Sequence, residues 1–506
     1  MADYENSKIK EYFTHPKNAG EVKSPSAVGQ GGSVQCRNLV RLSARIEKNI
    51  IKEIKFKAFG CNYTIASASY LSTLAEGKDI FRATLLTEKD IENELGSFPE
   101  EKKEVLKVII SALQNLITDY ISRKFKQDPE YTPQNIYEPD PRRVAVAMSG
   151  GIDSSMAAKI ILDEGWNVFG ITMKFLPEEF LRDTGFRGVH KTCCSPQDIE
   201  NARKISLKLG IPHIVVDLKE SFREKVIEPF CLSYMEGKTP NPCIECNKYI
   251  KFGVLLEIAK RLGASFIATG HYCRIEKKDS NSLYEVKKAI DREKDQSYVF
   301  WKMNQEQLSQ TKTPLGYLLK QDVKRKAQEI FHPIPPRRES QEICFVSDKN
   351  YHSLLLQRFK EIFEHIKEGK ILNTKGEVLG THRGYPFYTI GQRKGLGITH
   401  TKPLYVKEIV PDKNIIVVGE EEELFEKKLI VNELNFIAGY PPGKTFRASV
   451  KIRYKSNESP ATIEVINDTT ALITFDEPQR AITPGQSAVF YMGDNLIGGG
   501  VIAKIT

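Results

Sequence analysis

Two cysteines three residues apart have the clearest potential for chemistry in this sequence. They are Cys243 and Cys246, in the stretch Thr-Pro-Asn-Pro-Cys-Ile-Glu-Cys-Asn that begins at residue 239. Two prolines hold a loop open there, and a helix is predicted to begin at the cysteines, where its dipole favours the thiolate. Because a thiolate is both a nucleophile and a metal ligand, the spacing predicts a redox pair or half a metal site. The second Cys-x-x-Cys of a closed zinc site is missing from the sequence, and the lone partner is Cys344.

The stretch from Val144 to Leu162 predicts a buried strand, a tight loop and a helix. Its apolar run breaks at Ser-Gly-Gly, residues 149–151, and Asp-Ser-Ser follows at residues 153–155. The glycines let the backbone approach an anion, and the N–H groups at the helix start carry partial positive charge. The loop lacks the Gly-Lys-Ser/Thr ending of a Walker loop. It resembles the pyrophosphate loop of enzymes that split ATP into AMP and pyrophosphate.

The elements around this loop predict a parallel sheet with helices on both faces. The short apolar strand candidates are Val144–Ala147, Asn167–Met173, Ile214–Asp217 and Ser265–Thr269. Ligands of such sheets bind at the carboxyl ends of the strands. We therefore expect Ser149, Met173 and Gly270, which end three of these strands, to converge on one nucleotide.

Composition and charge limit the class of protein. The chain has 506 residues, 40% of them hydrophobic and 27% charged, which is typical of a soluble globular protein of about three to four domains. Without an apolar run of roughly 18 residues or an apolar signal core, we expect a cytoplasmic protein with no membrane partner. Nine cysteines without a secretory signal favour reduced thiols over a disulfide framework. The net charge of +9 permits a polyanionic partner without requiring one.

Residues 1–127 predict an α+β domain with a hairpin of half-buried strands and a long amphipathic helix. The stretches His15–Gly20, Ile54–Cys61 and Ile65–Leu71 resemble the iron–sulfur scaffold family typified by NifU and IscU. Members of that family carry three cysteines and an aspartate beside the first of them.

This segment departs from the ligand set of the scaffold family. Cys36 and Cys61 are present, but Asn38 stands where the aspartate belongs. Arg37 replaces a glycine, and Glu104 falls where the third cysteine is expected. Two thiolates with a distant carboxylate are poorer cluster ligands than three thiolates. The resemblance therefore implies a degenerate site in a domain that docks a cysteine desulfurase or accepts its sulfur, with retained cluster assembly as the alternative.

Eight sequence blocks beyond residue 142 resemble the tRNA-specific 2-thiouridylase family, MnmA, in the same order. They are Ser149–Ser155, Cys193–Ser195, Thr239–Phe252, Ala268–Tyr272, Lys294–Tyr298, Ser340–Phe345, Tyr388–Ile398 and Thr483–Tyr491. The resemblance implies an enzyme that uses ATP, with Mg²⁺, to adenylate the 2-oxygen of the wobble uridine, position 34 of tRNA. Sulfur then replaces this oxygen, which is a poor leaving group until it becomes a phosphate ester.

The positions that match the family imply a role for each residue. Cys246 is the nucleophile, Cys344 carries a persulfide sulfur or resolves the product by a disulfide with Cys246, and Asp153 completes the catalytic set. The residues that hold ATP are Ala147, Met148, Ser149, Gly150, Gly151, Ile152, Asp153, Ser154, Met173 and Gly270. Those that contact tRNA are Asn241, Pro242, Cys243, His271, Lys294, Asp295, Gln296, Arg453, Tyr454 and Gln486. The implied sulfur donor is a cysteine desulfurase or a sulfur-relay protein.

Cys243 departs from the family, because many members have an aspartate there. Cys243, Cys246 and Cys344 together offer three thiolates. Related cluster-dependent thiolases hold an iron–sulfur cluster on three cysteines and leave one iron open to bind sulfide. The sequence therefore leaves two sulfur sources open, a persulfide and a cluster.

The predicted fold class is a multidomain α/β protein. After the scaffold-like module, a proline-rich linker spans residues 128–141. An adenine nucleotide α-hydrolase-like (PP-loop) ATP pyrophosphatase domain spans residues 142–345, and a small central tRNA-binding domain spans residues 346–425. Strong polar and apolar alternation predicts a C-terminal β-barrel at residues 426–506.

Two other functions fit part of the sequence. A ligase acting on a small metabolite would share the Ser149 loop but has no use for Cys246 and Cys344 or for a basic β-barrel. A non-catalytic iron–sulfur carrier, suggested by residues 1–127, leaves most of the chain unexplained. The fusion also predicts that the first domain delivers sulfur at a local concentration of roughly millimolar, if the linker reaches.

Overall fold

The computed structural model describes residues 7–33, 37–126, 135–175, 195–280, 282–333, 343–346, 351–358 and 368–505. Cys36, residues 128–134 of the predicted linker and residues 340–342 of the Ser340 block lie outside the described residues. The described residues form four sheets, which follow one another along the chain with one exception. A hairpin of two strands, Cys273–Lys277 and Tyr284–Lys288, belongs to the last sheet.

The N-terminal domain is a three-stranded antiparallel sheet covered by helices. Its elements are α1 (Ser7–Thr14), β1 (Ala27–Ser33), β2 (Asn38–Glu47), β3 (Ile50–Phe59), α2 (Asn62–Ala75), α3 (Ile80–Ala83), α4 (Glu88–Leu95) and α5 (Lys103–Lys126). Val40, Leu42 and Ala44 of β2 are fully buried, which confirms the predicted hairpin face. Lys48 and Asn49 connect β2 to β3 with positive φ angles of 47° and 63°, as a tight two-residue hairpin turn requires.

The long helix α5 covers β1 and β2. By length and composition alone, the helical stretch Glu100–Phe125 could cross a membrane, because an 18-residue window within it has a mean hydropathy of 1.2. In its most apolar window 61% is buried inside the protein. Because the core helix of a globular domain passes the same test, this one helix is weak evidence for a membrane span.

The second domain contains a parallel five-stranded sheet in the order β10-β7-β4-β5-β6. The strands of this sheet are β4 (Asp140–Ala147), β5 (Asn167–Lys174), β6 (His213–Asp217), β7 (Ala264–Ala268) and β10 (Thr311–Lys312). The domain also contains the hairpin β8 (Cys273–Lys277) and β9 (Tyr284–Lys288), which lies outside this sheet. Its helices are α6 (Ile152–Asp163), α7 (Pro196–Leu209), α8 (Lys219–Phe222), α9 (Glu228–Met235), α10 (Pro242–Glu245), α11 (Leu255–Arg261), α12 (Gln305–Ser309), α13 (Lys320–Phe331) and α14 (Tyr351–Arg358). The predicted parallel sheet is confirmed.

The C-terminal part contains a small sheet and a closed barrel. The small sheet comprises β11 (Gly369–Asn373), β12 (Val378–His382), β13 (Tyr405–Val410) and β14 (Ile415–Gly419). The barrel comprises β15 (Phe425–Phe436), β16 (Thr445–Lys451), β17 (Ser459–Asn467), β18 (Thr470–Arg480), β19 (Ser487–Met492) and β20 (Asn495–Ile505), and it closes where β15 pairs with β20. Strand β9 of the second domain pairs with β20, so the barrel and the second domain share a hydrogen-bonded edge.

The predicted linker is not a free tether where it is described. Strand β4 already begins at Asp140, and the preceding Tyr137 stacks on Phe81 of the N-terminal domain with ring centroids 4.5 Å apart. The Tyr137 hydroxyl donates to Asp79 at 2.7 Å, and the guanidinium of Arg143 lies over the Tyr137 ring. The end of this segment was predicted as linker from its prolines, but its aromatic side chain is part of a domain interface.

Further contacts hold the N-terminal domain against the second domain. Arg203 of α7 is almost fully buried and forms an ion pair of 3.1 Å with Glu88 of α4. Arg261 at the end of α11 donates to the carbonyl oxygen of Lys124 at 3.0 Å and lies 4.0 Å from the ring centroid of Phe125. The two domains therefore pack directly against each other, and delivery of sulfur at a raised local concentration stays a prediction.

Candidate active site

The loop between β4 and α6 has the geometry of an anion-binding turn. Gly150 has a φ of +69°, and a Cβ atom there would lie 2.5 Å from the carbonyl oxygen of Asp198, so only glycine fits. The Ser149 N–H donates to Ser154 Oγ at 3.2 Å, which folds the loop over the first turn of α6. Gly151 is the N-cap residue and has no side chain to occupy the N–H groups at the helix start. The predicted sequence of strand, tight loop and helix is confirmed.

Other residues predicted to hold ATP lie around this loop. A Cβ atom on Gly270 would lie 2.7 Å from the carbonyl carbon of Asp153, so the segment after β7 abuts the start of α6. Met173 is half-buried at the end of β5. The side chain of Met148 is buried, with its sulfur 3.3 Å from Ser206 Oγ. The backbone of Met148 is also bonded within the protein, because its N–H donates to the Ile171 carbonyl oxygen at 2.9 Å and its carbonyl oxygen accepts from Thr172 Oγ1 at 2.8 Å.

Asp153 is held by two residues that the sequence analysis did not assign. The Lys320 ammonium donates to both of its carboxylate oxygens, at 2.7 and 2.6 Å. The Tyr272 hydroxyl donates to Oδ1 at 2.8 Å, and the Lys320 ammonium lies 5.3 Å from the Tyr272 ring centroid. The structure shows Lys320 at the first position of a helix, where the dipole disfavours a cation, and this unusual placement is what distinguishes it from the other lysines of the helix.

The two cysteines of the Cys-x-x-Cys stretch lie at the start of a continuous helical segment, as predicted. Asn241 caps it by accepting from the Cys243 N–H at 3.2 Å. After α10 the segment becomes π-helical from Cys246 to Val254 and then continues as α11. Such π-helical turns are rare and occur frequently at functional sites. Cys243 is exposed and Cys246 is half-buried.

Cys344 lies in a short described stretch beside a buried aromatic cluster. Phe345 is buried and contacts Phe222 and Phe230 edge-to-face, with centroids 5.6 and 5.2 Å away. Cys344 and Cys246 are both half-buried.

The thiols do not fit an iron–sulfur cluster in this structure. Among the described residues, which include Cys243, Cys246 and Cys344, no group of three His, Cys, Asp or Glu side chains is placed to hold a metal ion. A cluster needs three thiolates converging on one point. Of the two sulfur sources that the sequence left open, the cluster is therefore not favoured.

His271, predicted to contact the target base, is a neutral imidazole. Burial and the nearby charge of Lys251 lower the pKa of His271 well below its usual value. Because the Lys251 ammonium can only donate, His271 Nε2 accepts from it at 3.3 Å. The Nδ1–H group is then the donor to Thr269 Oγ1 at 2.8 Å. Lys251 also donates to Asn247 on its own helix, at 2.9 Å.

Several predicted tRNA contacts meet between the second domain and the barrel. The side-chain amide of Gln486 donates to the carbonyl oxygen of Thr239 at 2.8 Å, two residues before Asn241. The Tyr454 hydroxyl donates to the carbonyl oxygen of Asp295 at 3.3 Å. Burial, Asp295 and Cys243 raise the pKa of Tyr454 to about 12. Segments far apart in the sequence are thus brought together around the cysteine loop.

Three other predicted tRNA contacts are engaged within the protein. Asp295 accepts from the Ala289 N–H at 2.9 Å, and Gln296 Oε1 accepts from the Tyr272 N–H, also at 2.9 Å. Arg453 donates to Thr483 Oγ1 at 2.8 Å and to the carbonyl oxygen of Ala481. Lys294 is half-buried beside them. The side chains of Asp295, Gln296 and Arg453 therefore form hydrogen bonds that connect loops near the cysteine segment.

The sequence matches four family models, one for each part of the chain. Residues 142–348 match the tRNA methyl transferase HUP domain, residues 359–420 the tRNA methyl transferase PRC-barrel domain, and residues 426–502 the Aminomethyltransferase beta-barrel domain. The tRNA-specific 2-thiouridylase MnmA of Clostridioides difficile is 44% identical over 363 residues, which are 72% of this chain and 98% of that protein. The MnmA of Clostridium acetobutylicum is 45% identical over 361 residues, 71% of this chain and 99% of that protein.

The chain belongs to the MnmA family. The remaining N-terminal segment, residues 4–127, matches the NifU-like N terminal domain. A crystal structure of a NifU-like protein (N-terminal) from Brucella abortus covers 23% of this chain and 92% of that chain, with 17% identity and a TM-score of 0.20. This member of the MnmA family therefore carries a NifU-like domain at its N-terminal side.

Two ion pairs join the C-terminal barrel to the cysteine helix, which is the helical segment that carries Cys243 and Cys246. The Lys302 side chain is 7% exposed, and its ammonium lies 2.6 Å from Glu245 and 2.7 Å from Glu433 of β15. Glu245 stands between Cys243 and Cys246. Lys302, which the sequence analysis missed, thus connects the helix that carries the thiols to the barrel.

The NifU-like domain retains one described thiol of its expected ligand set. Cys61 is half-buried at the N-cap of α2, and Thr64 Oγ1 lies 3.5 Å from its sulfur. Burial raises the pKa of Cys61, but hydrogen bonds from Thr64 and Tyr63 and the charge of Lys102 together lower it overall. Asn38, in the place of the family's aspartate, accepts from Thr64 at 2.6 Å.

Glu104 does not complete this site. Its side chain is 70% exposed and pairs with Lys107 at 2.8 Å on the outer face of α5. A carboxylate on that face is turned to solvent and paired with a cation. The described part of the domain therefore fits a degenerate site rather than a set of three cluster ligands.

Proposed function

We propose that this chain is an ATP-dependent tRNA sulfurtransferase that forms 2-thiouridine at wobble position 34. The observation that carries the proposal is that one domain presents a phosphate-binding loop and, on a helix of the same domain, the half-buried thiol of Cys246. The near-complete coverage of curated 2-thiouridylases by residues beyond the NifU-like domain supports the same substrate.

The proposed reaction begins with adenylation. The uridine 2-oxygen attacks the α-phosphorus of ATP, a new P–O bond forms, and the bond to pyrophosphate breaks. The phosphate loop from Ser149 to Ser154 supplies backbone N–H groups to the phosphates. Residues 147–154, with Met173 and Gly270, are proposed to hold the nucleotide, since they surround the start of α6. Mg²⁺ is proposed to accompany ATP, with Asp153 as the protein carboxylate that would hold it and the charge of the phosphates as what it neutralises.

Sulfur transfer follows on the activated uridine. The terminal sulfur of a persulfide on Cys344 attacks C2, and AMP leaves with the former 2-oxygen. The Cys246 thiolate then attacks the Cys344 sulfur, so that the S–S bond breaks and its electron pair remains on the new 2-thio group. The products are 2-thiouridine and a Cys246–Cys344 disulfide, which a dithiol reductant must reduce before the next turnover. Both positions match thiol positions of the family in the sequence, which supports this pairing.

The target uridine is proposed to enter beside the cysteine loop. Asn241, Pro242, Cys243 and His271 are proposed to contact the base. The second set of proposed tRNA contacts is Lys294, Asp295, Gln296, Arg453, Tyr454 and Gln486. Tyr454 and Gln486 support this assignment, because both lie next to the loop that carries Cys243. Aromatic and cationic side chains are the groups that hold splayed single-stranded loops of RNA.

The partners follow from this chemistry. We propose a cysteine desulfurase or sulfur-relay protein as the donor that loads Cys344, with the NifU-like domain as its docking surface or as an intermediate sulfur acceptor. The depressed pKa of Cys61 supports sulfur acceptance, because a thiolate attacks a persulfide. We place the protein in the cytoplasm, where tRNA and the desulfurase meet.

One assay tests the proposal against its alternatives. Incubation with ATP, a persulfide donor and unmodified tRNA should retard the tRNA in a gel that responds to thiocarbonyl groups. The Cys246→Ala variant should give no retardation while still binding ATP. A small-metabolite ligase or a non-catalytic iron–sulfur carrier would leave the tRNA unchanged, and equal retardation by Cys246→Ala would refute the proposed mechanism.

A further inference from the structure

A buried cation faces the phosphate loop from another helix. Lys320 is the first residue of α13, and its side chain is 6% exposed. Its ammonium is bound by both carboxylate oxygens of Asp153, whose helix begins at the phosphate loop. The Tyr272 hydroxyl donates to Oδ1 of the same carboxylate at 2.8 Å. The charge of Lys320 is therefore held at the start of α6.

In the absence of a ligand, the position of Lys320 is energetically unfavourable. A cation in the first turn of a helix opposes the helix dipole. Burial of an ammonium costs free energy that one carboxylate offsets only partly. A polar side chain without charge would occupy this first helical position at lower cost, because it does not oppose the dipole. The arrangement is explained if the Lys320 ammonium binds an anionic ligand.

The phosphate loop lacks a cation of its own. Residues 149–155 contain no Lys or Arg, whereas a Walker loop carries a lysine that reaches the β- and γ-phosphates. Backbone N–H groups supply partial charges only. ATP brings several negative charges to this loop, and Lys320 is a full positive charge bound to its first helical turn.

We propose that Lys320 is the residue that binds the β- and γ-phosphates of ATP and assists the departure of pyrophosphate. Before nucleotide binds, Asp153 keeps the ammonium at the loop. When ATP binds, the ammonium exchanges the carboxylate for phosphate oxygens and releases Asp153. As the bond between the α-phosphorus and pyrophosphate breaks, the Lys320 N–H groups donate to the departing oxygens, and the lysine keeps its protons throughout. This role rests on the proposed cleavage of ATP.

The test compares nucleotides with and without the terminal phosphates. In the full-length protein, Lys320→Met should weaken binding of ATP and of pyrophosphate by about 10- to 100-fold, as loss of charge-assisted hydrogen bonds predicts. AMP affinity should stay within about 2-fold, because AMP lacks the phosphates that Lys320 contacts. The matched control is Lys326→Met, which removes an exposed lysine from the same helix and should leave all three affinities unchanged.

A double substitution separates phosphate binding from neutralisation of Asp153. If Lys320 only neutralises the carboxylate, Lys320→Met/Asp153→Asn should bind ATP as tightly as Asp153→Asn, which would overturn the proposal. If Lys320 binds phosphate, the double variant should bind ATP about 10-fold or more weakly than Asp153→Asn. Lys320→Gln, which keeps a hydrogen-bond donor to Asp153 and supports folding, should show the same selective loss. Equal losses for AMP and ATP in Lys320→Gln would also overturn the proposal.

These measurements need neither tRNA nor a sulfur donor. If the chain failed to thiolate tRNA while Lys320 variants selectively lost ATP, the proposed function would fall and the phosphate role of Lys320 would stand. If thiolation occurred while ATP and AMP affinities moved together, the function would stand and the role of Lys320 would fall.

Discussion

The side-chain amide of Gln486 donates a hydrogen bond to the carbonyl oxygen of Thr239, 2.8 Å away. The Thr239 N–H in turn donates to the carbonyl oxygen of Pro484 at 2.9 Å. A turn of the C-terminal barrel is thus hydrogen-bonded to the loop that leads into the cysteine helix. The position of the thiols in the MnmA-like site therefore depends on a domain that begins more than a hundred residues later in the sequence.

Gln486→Ala should lower the rate of tRNA thiolation by about 10-fold, because loss of one amide donor leaves the Thr239 carbonyl unpaired. ATP affinity should be unchanged, since the phosphate loop lies on another segment. The measurement is kcat and KM for tRNA together with the Kd for ATP. Gln479→Ala, on β18 of the same barrel, is the control and should behave like the wild type. A loss of ATP affinity in Gln486→Ala would contradict this account of the loop.

Lys302→Met should lower the free energy of unfolding by about 2 kcal/mol, because it removes the buried partner of Glu245 and Glu433. Urea denaturation measures the change. Lys428→Met, which removes an exposed lysine from β15, should change stability by less than about 0.5 kcal/mol. Equal effects of the two substitutions would mean that the ion pairs of Lys302 do not stabilise the contact between the cysteine helix and the barrel.

Acid should destabilise the fold partly through His213. Burial and the charge of Arg203 lower the pKa of His213 to about 3, and its Nε2 lies 2.8 Å from Thr172 Oγ1. The folded pKa is below the unfolded value of about 6.5, so the stabilisation is complete above pH 6.5. It is lost by about 1.4 kcal/mol per pH unit as pH falls from 6.5 towards 3.

His213→Gln should therefore flatten the dependence of stability on pH between about 6.5 and 4.5. Urea denaturation at a series of pH values measures the slope. His400→Gln, at an exposed histidine, should keep the slope of the wild type. A slope that is the same in all three proteins would show that His213 is not the group that titrates.

Cys243→Ser should keep thiolation within about 2-fold of the wild type, in air and with a persulfide donor, because the persulfide route uses Cys246 and Cys344. Cys246→Ser should abolish thiolation. The assay is the rate of 2-thiouridine formation at saturating ATP. If Cys243→Ser were as inactive as Cys246→Ser, and anaerobic iron loading were needed for activity, the cluster route would regain support.

Cys61→Ser should reduce thiolation driven by a desulfurase and leave thiolation driven by free sulfide unchanged. The substitution is preferable to deletion of the NifU-like domain, because Arg203 and Arg261 would lose the partners that it provides. Thr64→Val is a second variant that removes the hydroxyl beside the Cys61 sulfur and should give a smaller loss. Equal losses with both sulfur sources would mean that Cys61 supports the fold rather than sulfur delivery.

The phosphate loop was predictable from the sequence because its determinants are local. A continuous apolar run, two glycines and the serines around them stand within a few positions of one another, and the strand, loop and helix follow directly. The cysteine helix was predictable for the same reason, from Asn241, Pro242 and the two thiols. The π-helical register after Cys246 was not, because no residue pattern in this stretch distinguishes it from an α-helix.

Contacts between distant segments could not be predicted in the same way. Lys320 and Asp153 are 167 residues apart, and only the fold brings their charges together. Arg453 and Gln486 were assigned to tRNA because they match family positions, and their bonds to protein carbonyl groups are contacts that no spacing in the sequence reveals. Tyr137 lay in a segment whose prolines predict a linker, and its stacking on Phe81 depends on the docking of two domains.

The most direct test of the central claim, that a persulfide on Cys344 gives its sulfur to tRNA activated by ATP and Cys246 releases the product, is nucleoside mass spectrometry after a single turnover. With ATP, a persulfide donor and unmodified tRNA, the wild-type protein should yield one AMP for each 2-thiouridine at position 34. Cys246→Ala should release AMP but leave the tRNA joined to Cys344 through the transferred sulfur, with no free 2-thiouridine. Formation of 2-thiouridine by Cys246→Ala, or AMP release by the wild type without any 2-thiouridine, would contradict the account.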